Sequence, residues 1–244
     1  MIDSIALVLS IIPYSESSIV IKALTWDRAQ ISILAKGWRK KADPLLRFWE
    51  YEFTLYEPKE DGLYLLKEAN ALQDFSSYPN AATWAAAECG AELLLKIIIP
   101  SSEATHYYTL LREYLLYLRK VESNGILIFW RLLQRIFKMM GIGMRIEHCA
   151  ICNSTADPVA MNAVGELICA QCLQSLPPEN HYQSLRPMSQ KVLILLPEIG
   201  KHLKTLKLNR EDIAELNQLF LAYYSAHQRQ TLKLKSLSVL SQFY

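Results

Sequence analysis

The sequence predicts an α+β fold: a small N-terminal β-barrel, then a mainly α-helical domain with a four-cysteine knuckle inserted in it. Three observations carry this expectation. Short apolar runs separated by turn residues fill the stretch from Ile5 to Ala69, apolar residues recur at helical spacing from Asn80 onward, and two Cys-x-x-Cys pairs interrupt the helical half. At 244 residues, 51% hydrophobic and 20% charged, the chain can bury a core and is excluded from the disordered and collagen-like classes. The net charge of +2 does not by itself announce a nucleic-acid partner.

The strand signals come first. Ile5 to Ile12, Ile19 to Leu24, Ile31 to Ala35, Tyr51 to Tyr56 and Leu63 to Leu66 are rich in Ile, Val, Tyr and Phe, and Glu50-Tyr51-Glu52-Phe53-Thr54-Leu55 alternates at period two. Five strands in so short a span suit a closed barrel of the OB type better than a two-sheet sandwich, which needs about 100 residues. The polar stretch Gln73 to Asn80 sets the boundary near Tyr78, giving 1–78 as the barrel and 79–244 as the helical domain.

The helical signals follow. Asn80 is placed to cap a helix that runs through Trp84 and Glu88 to a stop at Pro100, and Ser101 or Ser102 to cap a second through Tyr107, Leu111 and Leu118. A third spans Ile126 to Met140 and ends at Gly141, and a fourth starts at Asn209 with Asp212 favouring its dipole. No apolar run approaches the ~20 residues of a bilayer span, and the N-terminus does not read as a signal peptide. A cytoplasmic protein without a membrane anchor is expected.

Cys149-x-x-Cys152 and Cys169-x-x-Cys172 stand sixteen residues apart, the spacing of a zinc ribbon, with turn formers Asn153, Ser154, Asp157, Pro158 and Gly165 between them. A structural Zn2+ site at about 146–175 is expected, the alternatives being a redox pair or a degenerate remnant. Four thiolates leave no open position for an activated water, and no H-x-E with P-C-x-x-C signature is present, so a zinc enzyme is disfavoured. Cys89 reads as a buried small residue. The five histidines, His106, His148, His181, His202 and His227, make no catalytic spacing, and no enzyme is expected.

Basic charge is local. From Lys22 to Arg47 seven cations face two acids, and Glu50, Glu52, Glu57, Glu60 and Asp61 then face Lys59 alone. Lys36-Gly37-Trp38-Arg39-Lys40-Lys41 combines cations for phosphates with an aromatic that can stack on an unpaired base. It reads equally as a solvated loop with Trp38 folded back onto the barrel. Arg131, Arg135 and Lys138 share one helix face, and Lys201, Lys204, Lys207, Arg210 and then Arg229, Lys233, Lys235 form further sets.

The chain resembles the RecO family of bacterial recombination mediators. The resemblance rests on Ala6-Leu7-Val8-Leu9, Pro13-Tyr14-Ser15-Glu16-Ser17, Thr25 and Ala35-Lys36-Gly37; on Phe137 and Gly141 ahead of Cys149 and Cys152; on Gly165, Cys169 and Cys172; and on Lys233-Leu234-Lys235-Ser236-Leu237. Arg28-Ala29-Gln30 departs from it where a glycine is expected between the second and third strands. The resemblance implies an OB-fold, a zinc knuckle, binding of single- and double-stranded DNA, strand annealing without ATP and work in DNA repair and recombination at the nucleoid. It also implies RecR as partner, contact with the C-terminal tail of single-strand-binding protein, and help in loading RecA. For DNA it points to Lys36, Arg39, Lys40 and Arg47, to which the loop composition adds Trp38 and Lys41. Arg131, Arg135 and Lys138 beside Phe137 are candidates for the acidic tail. A protein-interaction scaffold without DNA binding is the rival reading.

Overall fold

The computed structural model describes residues 1–58, 62–155, 157–162, 164–177 and 182–244, so Lys59, Glu60, Asp61 and His181 lie outside the described residues. Two compact units divide the chain, Met1–Val121 and Glu122–Tyr244.

In the first unit five strands, β1 (Ile2–Pro13), β2 (Ile19–Thr25), β3 (Ala29–Ala35), β4 (Trp49–Tyr56) and β5 (Tyr64–Asp74), close in the order β1-β2-β3-β5-β4. All neighbours are antiparallel except β3 and β5, which meet through Ile33↔Tyr64 and Leu34↔Leu65. This is the OB arrangement expected from the sequence. Ala6, Val8, Ile21, Ile33, Phe53 and Leu55 fill its interior. The run Ala6-Leu7-Val8-Leu9 fails to alternate because it is covered on both faces. Ala6 and Val8 point into the barrel, while Leu7 and Leu9 are buried outside that cluster, on a strand against which a helix packs.

That helix is α1 (Ala81–Lys96), started by a reciprocal cap in which the Asn80 side chain accepts from the Thr83 N–H and the Thr83 hydroxyl from the Asn80 N–H. It stops at Lys96, short of Pro100. The Gln30 side chain of β3 donates to the carbonyls of Leu94 and Ile97 and so satisfies the helix end from the barrel. Neither Ser101 nor Ser102 caps the next helix. Both lie in a 3-10 turn (Ser101–Glu103) that feeds α2 (Ala104–Leu118) directly, without a side-chain cap. α2 packs on β2 and β3, and Glu50, buried in β4, accepts from the Tyr108 hydroxyl and from Arg112 Nε at 3.1 Å. The reshaped β2–β3 turn is closed by Thr25, whose hydroxyl accepts the Arg28 N–H and donates to the Ala29 carbonyl, holding Ala29 at φ 60° where a glycine would be unstrained.

The second unit begins with α3 (Gly125–Met139), ended by Gly141 at φ 75°. The knuckle follows: hairpin strands β6 (Pro158–Asn162) and β7 (Leu167–Cys169), helix α4 (Ala170–Ser175), and β8 (Tyr182–Ser184), which pairs with β6. Then come α5 (Pro187–Leu195), α6 (Arg210–Gln228) and α7 (Lys235–Leu240). Asn209 and Asp212 form a full capping box on α6, so Asp212 does more than favour the dipole. Trp130, Phe137, Phe220, Tyr223 and Tyr224 make an aromatic core between α3 and α6. No described helix is long and apolar enough to cross a membrane.

Candidate nucleic-acid interface and metal centre

The β3–β4 loop starts where Gly37, at φ 77°, turns the chain out of β3 into a 3-10 turn, Trp38–Lys40. Lys36, Arg39, Lys40 and Lys41 are exposed on it. The turn is tied to the β1–β2 loop: the Arg39 N–H donates to the Ser17 carbonyl and its guanidinium to the Ser15 carbonyl, both at 3.0 Å. Trp38 is no free platform. It is half-buried against the barrel interior, with the Lys41 ammonium 3.4 Å from its ring centre. Arg47 stands apart from the loop's free cations. Its Nε donates to the Leu9 carbonyl at 3.0 Å and its Nη2 pairs with Glu88 of α1 at 2.6 Å, so its charge is spent holding helix to barrel.

Beside Trp38 the loop and barrel enclose a cleft of about 580 Å3, lined by Trp38, Lys41, Leu45, Trp49, Tyr51 and Ala71 among others. The Tyr51 hydroxyl accepts the Leu46 N–H at 3.0 Å, fixing the loop over β4. Trp49 and the alanines of β5 carry no local signal in the sequence: they come together at the cleft through the register of an aromatic strand against a small-residue one.

The tail-binding candidates separate. Phe137 is fully buried in the α3–α6 core, so no apolar groove containing it adjoins Arg131, Arg135 and Lys138. Arg135 and Lys138 are exposed and Arg131 half-exposed. Of the remaining basic sets, Lys201 pairs with Glu198 at 2.6 Å, Lys204 approaches Glu122 at 3.7 Å, and Arg210 donates to the Tyr244 carbonyl.

All four knuckle cysteines converge, their sulfurs lying within 4.8 Å of one another. A tight turn brings the first pair round, the Asn153 N–H donating to the Cys149 carbonyl at 2.9 Å with Asn153 left-handed at φ 55°, and the first turn of α4, with Cys169 at its N-cap position, brings Cys172 round to Cys169. Between the pairs, the Cys169 N–H points at Cys149 Sγ at 3.4 Å, and the Cys152 and Cys169 sulfurs are 3.8 Å apart. A tetrahedral ion with metal–sulfur bonds near ~2.3 Å requires sulfur–sulfur edges of about 3.8 Å. The donor set fits.

Its electrostatics fit as well. Burial opposes ionisation of Cys149, yet the N–H groups of Cys152, Cys169 and Ile151 outweigh it and bring that thiol down to about 6. Cys152 is lowered by the Ser154 hydroxyl and N–H. Cys172 is pushed up to about 12, by burial and then by the sulfurs of Cys152, Cys149 and Cys169. Four sulfurs this close cannot all shed their protons unless a cation sits among them, which is the condition for a thiolate metal centre. An ion held there would have four protein donors and no open position, the arrangement of a structural rather than a catalytic site. His148 is exposed and outside the cluster.

The comparisons with known proteins agree with this architecture. Residues 1–75 match the family model "Recombination protein O N terminal" and residues 79–237 the model "Recombination protein O C terminal". The chain is 25% identical over 203 residues, 80% of its own length and 79% of the relative's, to a protein of Thermodesulfovibrio yellowstonii named DNA repair protein RecO. With both domain models matched in order along a barrel, a helical region and a four-cysteine knuckle, the chain belongs to the recombination protein O family, a family of DNA repair and recombination.

Proposed function

We propose that the chain is a recombination mediator: it binds single- and double-stranded DNA, anneals complementary strands without ATP and, with RecR, helps load RecA onto DNA coated by single-strand-binding protein, whose acidic tail it contacts. The observation that carries this reading is the exposed set Lys36, Arg39, Lys40 and Lys41 on an OB barrel in a chain of this family. Two strands repel through their phosphates. Cations presented on a rigid barrel lower that repulsion while leaving base edges free to pair, which is all that annealing requires. Arg39 is pre-positioned by its bonds to the β1–β2 loop, so part of the ordering cost is met before a strand arrives.

The ion of the knuckle is assigned as zinc from its four thiolate donors, and its work is to hold β6, β7 and α4 together around a small core that includes Cys149, Ala160, Ile168 and Cys169. Arg131, Arg135 and Lys138 serve as general cations rather than as an apolar tail pocket.

The test is fluorescence-monitored annealing of complementary oligonucleotides precoated with single-strand-binding protein, across a salt series. Acceleration that fades steeply with salt and needs no ATP is expected. A folded, metal-loaded sample that gives none overturns the annealing reading and favours a scaffold that binds proteins only.

A further inference from the structure

We propose that the cleft between Trp38 and Trp49 receives one unpaired nucleobase of a single strand, with Lys41 taking the adjoining phosphate. This rests on the reading of the barrel loop as a nucleic-acid site and adds to it the chemistry that selects single strands over duplex.

The space exists because of a register. Tyr51 of β4 lies opposite Ala71 of β5, and Phe53 opposite Ala69, so along this edge methyl groups face aromatic rings and leave room beside them. The resulting slot, about 580 Å3, is within the roughly 300–1,000 Å3 of small-ligand sites. Trp38 and Trp49 give it flat apolar walls suited to stacking, which tolerates any base because every base has a π-face.

Charge fixes the orientation. Among the described residues Lys41 is the cation that lines the cleft, and its ammonium rests 3.4 Å from the Trp38 ring centre. An exposed cation–π contact is weak, and an ammonium–phosphate bond is the stronger of the two. An arriving phosphate draws Lys41 off Trp38 and uncovers that ring for the base. Asp43, exposed at the same cleft, repels phosphate, so the backbone is drawn to Lys41 and the base is left to enter between the rings. A paired base is held in its stack and cannot enter, so duplex is left with the outer cations alone.

The experiment is fluorescence anisotropy of the full chain at low salt with three labelled probes of equal length: an oligodeoxycytidine strand, a wholly abasic strand, and a duplex. The base-bearing strand is expected to bind more tightly than the abasic one by roughly five- to 150-fold, the range of one base–aromatic stack. Trp49→Ala is expected to erase that preference, the affinity for the base-bearing strand falling to that for the abasic one. Because Trp49 also packs on the barrel interior, Ala71→Leu provides a second variant: Ala71 is exposed, and the larger side chain fills the slot without disturbing the core. Equal affinity for base-bearing and abasic strands, or full preference retained in both variants, overturns the pocket and leaves a cation-only site. Failure of every probe to bind removes the pocket together with the nucleic-acid reading beneath it.

Discussion

Gly165, at the turn between β6 and β7, lies so close to the ring of Tyr223 on α6 that a Cβ built on it falls 1.8 Å from Tyr223 Cδ2. The glycine is also left-handed, at φ 83°. Tyr223 cannot retreat. Its ring packs on Phe137 and on His227, 4.2 Å between centroids for the latter, and its hydroxyl donates to the Ile142 carbonyl at 2.9 Å. The knuckle is thus seated on the helical core of its own unit through this contact as well as through the packing of β6 on α5. Gly165→Ala combines left-handed strain with overpacking and is expected to cost roughly 2–4 kcal/mol, read by chemical denaturation with metal content unchanged.

The metal centre makes a separate prediction. Cys149→Ser removes a buried donor whose thiol is lowered to about 6, and the chain is expected to lose both bound zinc and thermal stability, measured by metal analysis and calorimetry on one sample. A variant that loses the ion but keeps its melting temperature would show that the ion does not support the fold. Cobalt substitution is expected to give tetrahedral thiolate bands unmoved by added small ligands, because no coordination position is open.

Cations that look alike in sequence are expected to part in experiment. Arg47→Ala breaks a half-buried pair with Glu88 and a bond to the Leu9 carbonyl, so it should lower stability by about 1–3 kcal/mol. Arg39, Lys40 and Lys41 changed together to Ala should leave the melting temperature nearly unchanged and flatten the salt slope of single-strand binding by up to about 2. An unchanged slope would remove the loop from the site.

Glu50 fastens α2 to the barrel through Tyr108 and Arg112, and its own contact with water is nearly gone. Glu50→Ala leaves both donors without their acceptor and is expected to destabilise by roughly 1–3 kcal/mol. In a double-mutant cycle with Tyr108→Phe the two losses should not add, since both remove the same bond. A fragment ending at Val121 is expected to unfold cooperatively, because the compact unit includes both helices.

Much of this molecule was legible in the sequence because its signals are local. The five strands, the Asn80 and Asn209 caps, the Gly141 helix end and the four metal donors each follow from residue types a few positions apart, where backbone geometry alone fixes the outcome. The short β8, α4, α5 and α7 were not legible. Segments of three to nine residues have too little periodicity to declare themselves, and they persist through tertiary packing. The structure alone decided which cations are free, because Arg47 and Lys40 differ only in whether Glu88 stands nearby. It alone buried Phe137 out of reach of any partner and set Ala71 opposite Tyr51. Those outcomes depend on pairings between residues distant along the chain, which composition and spacing do not encode and which register and packing supply.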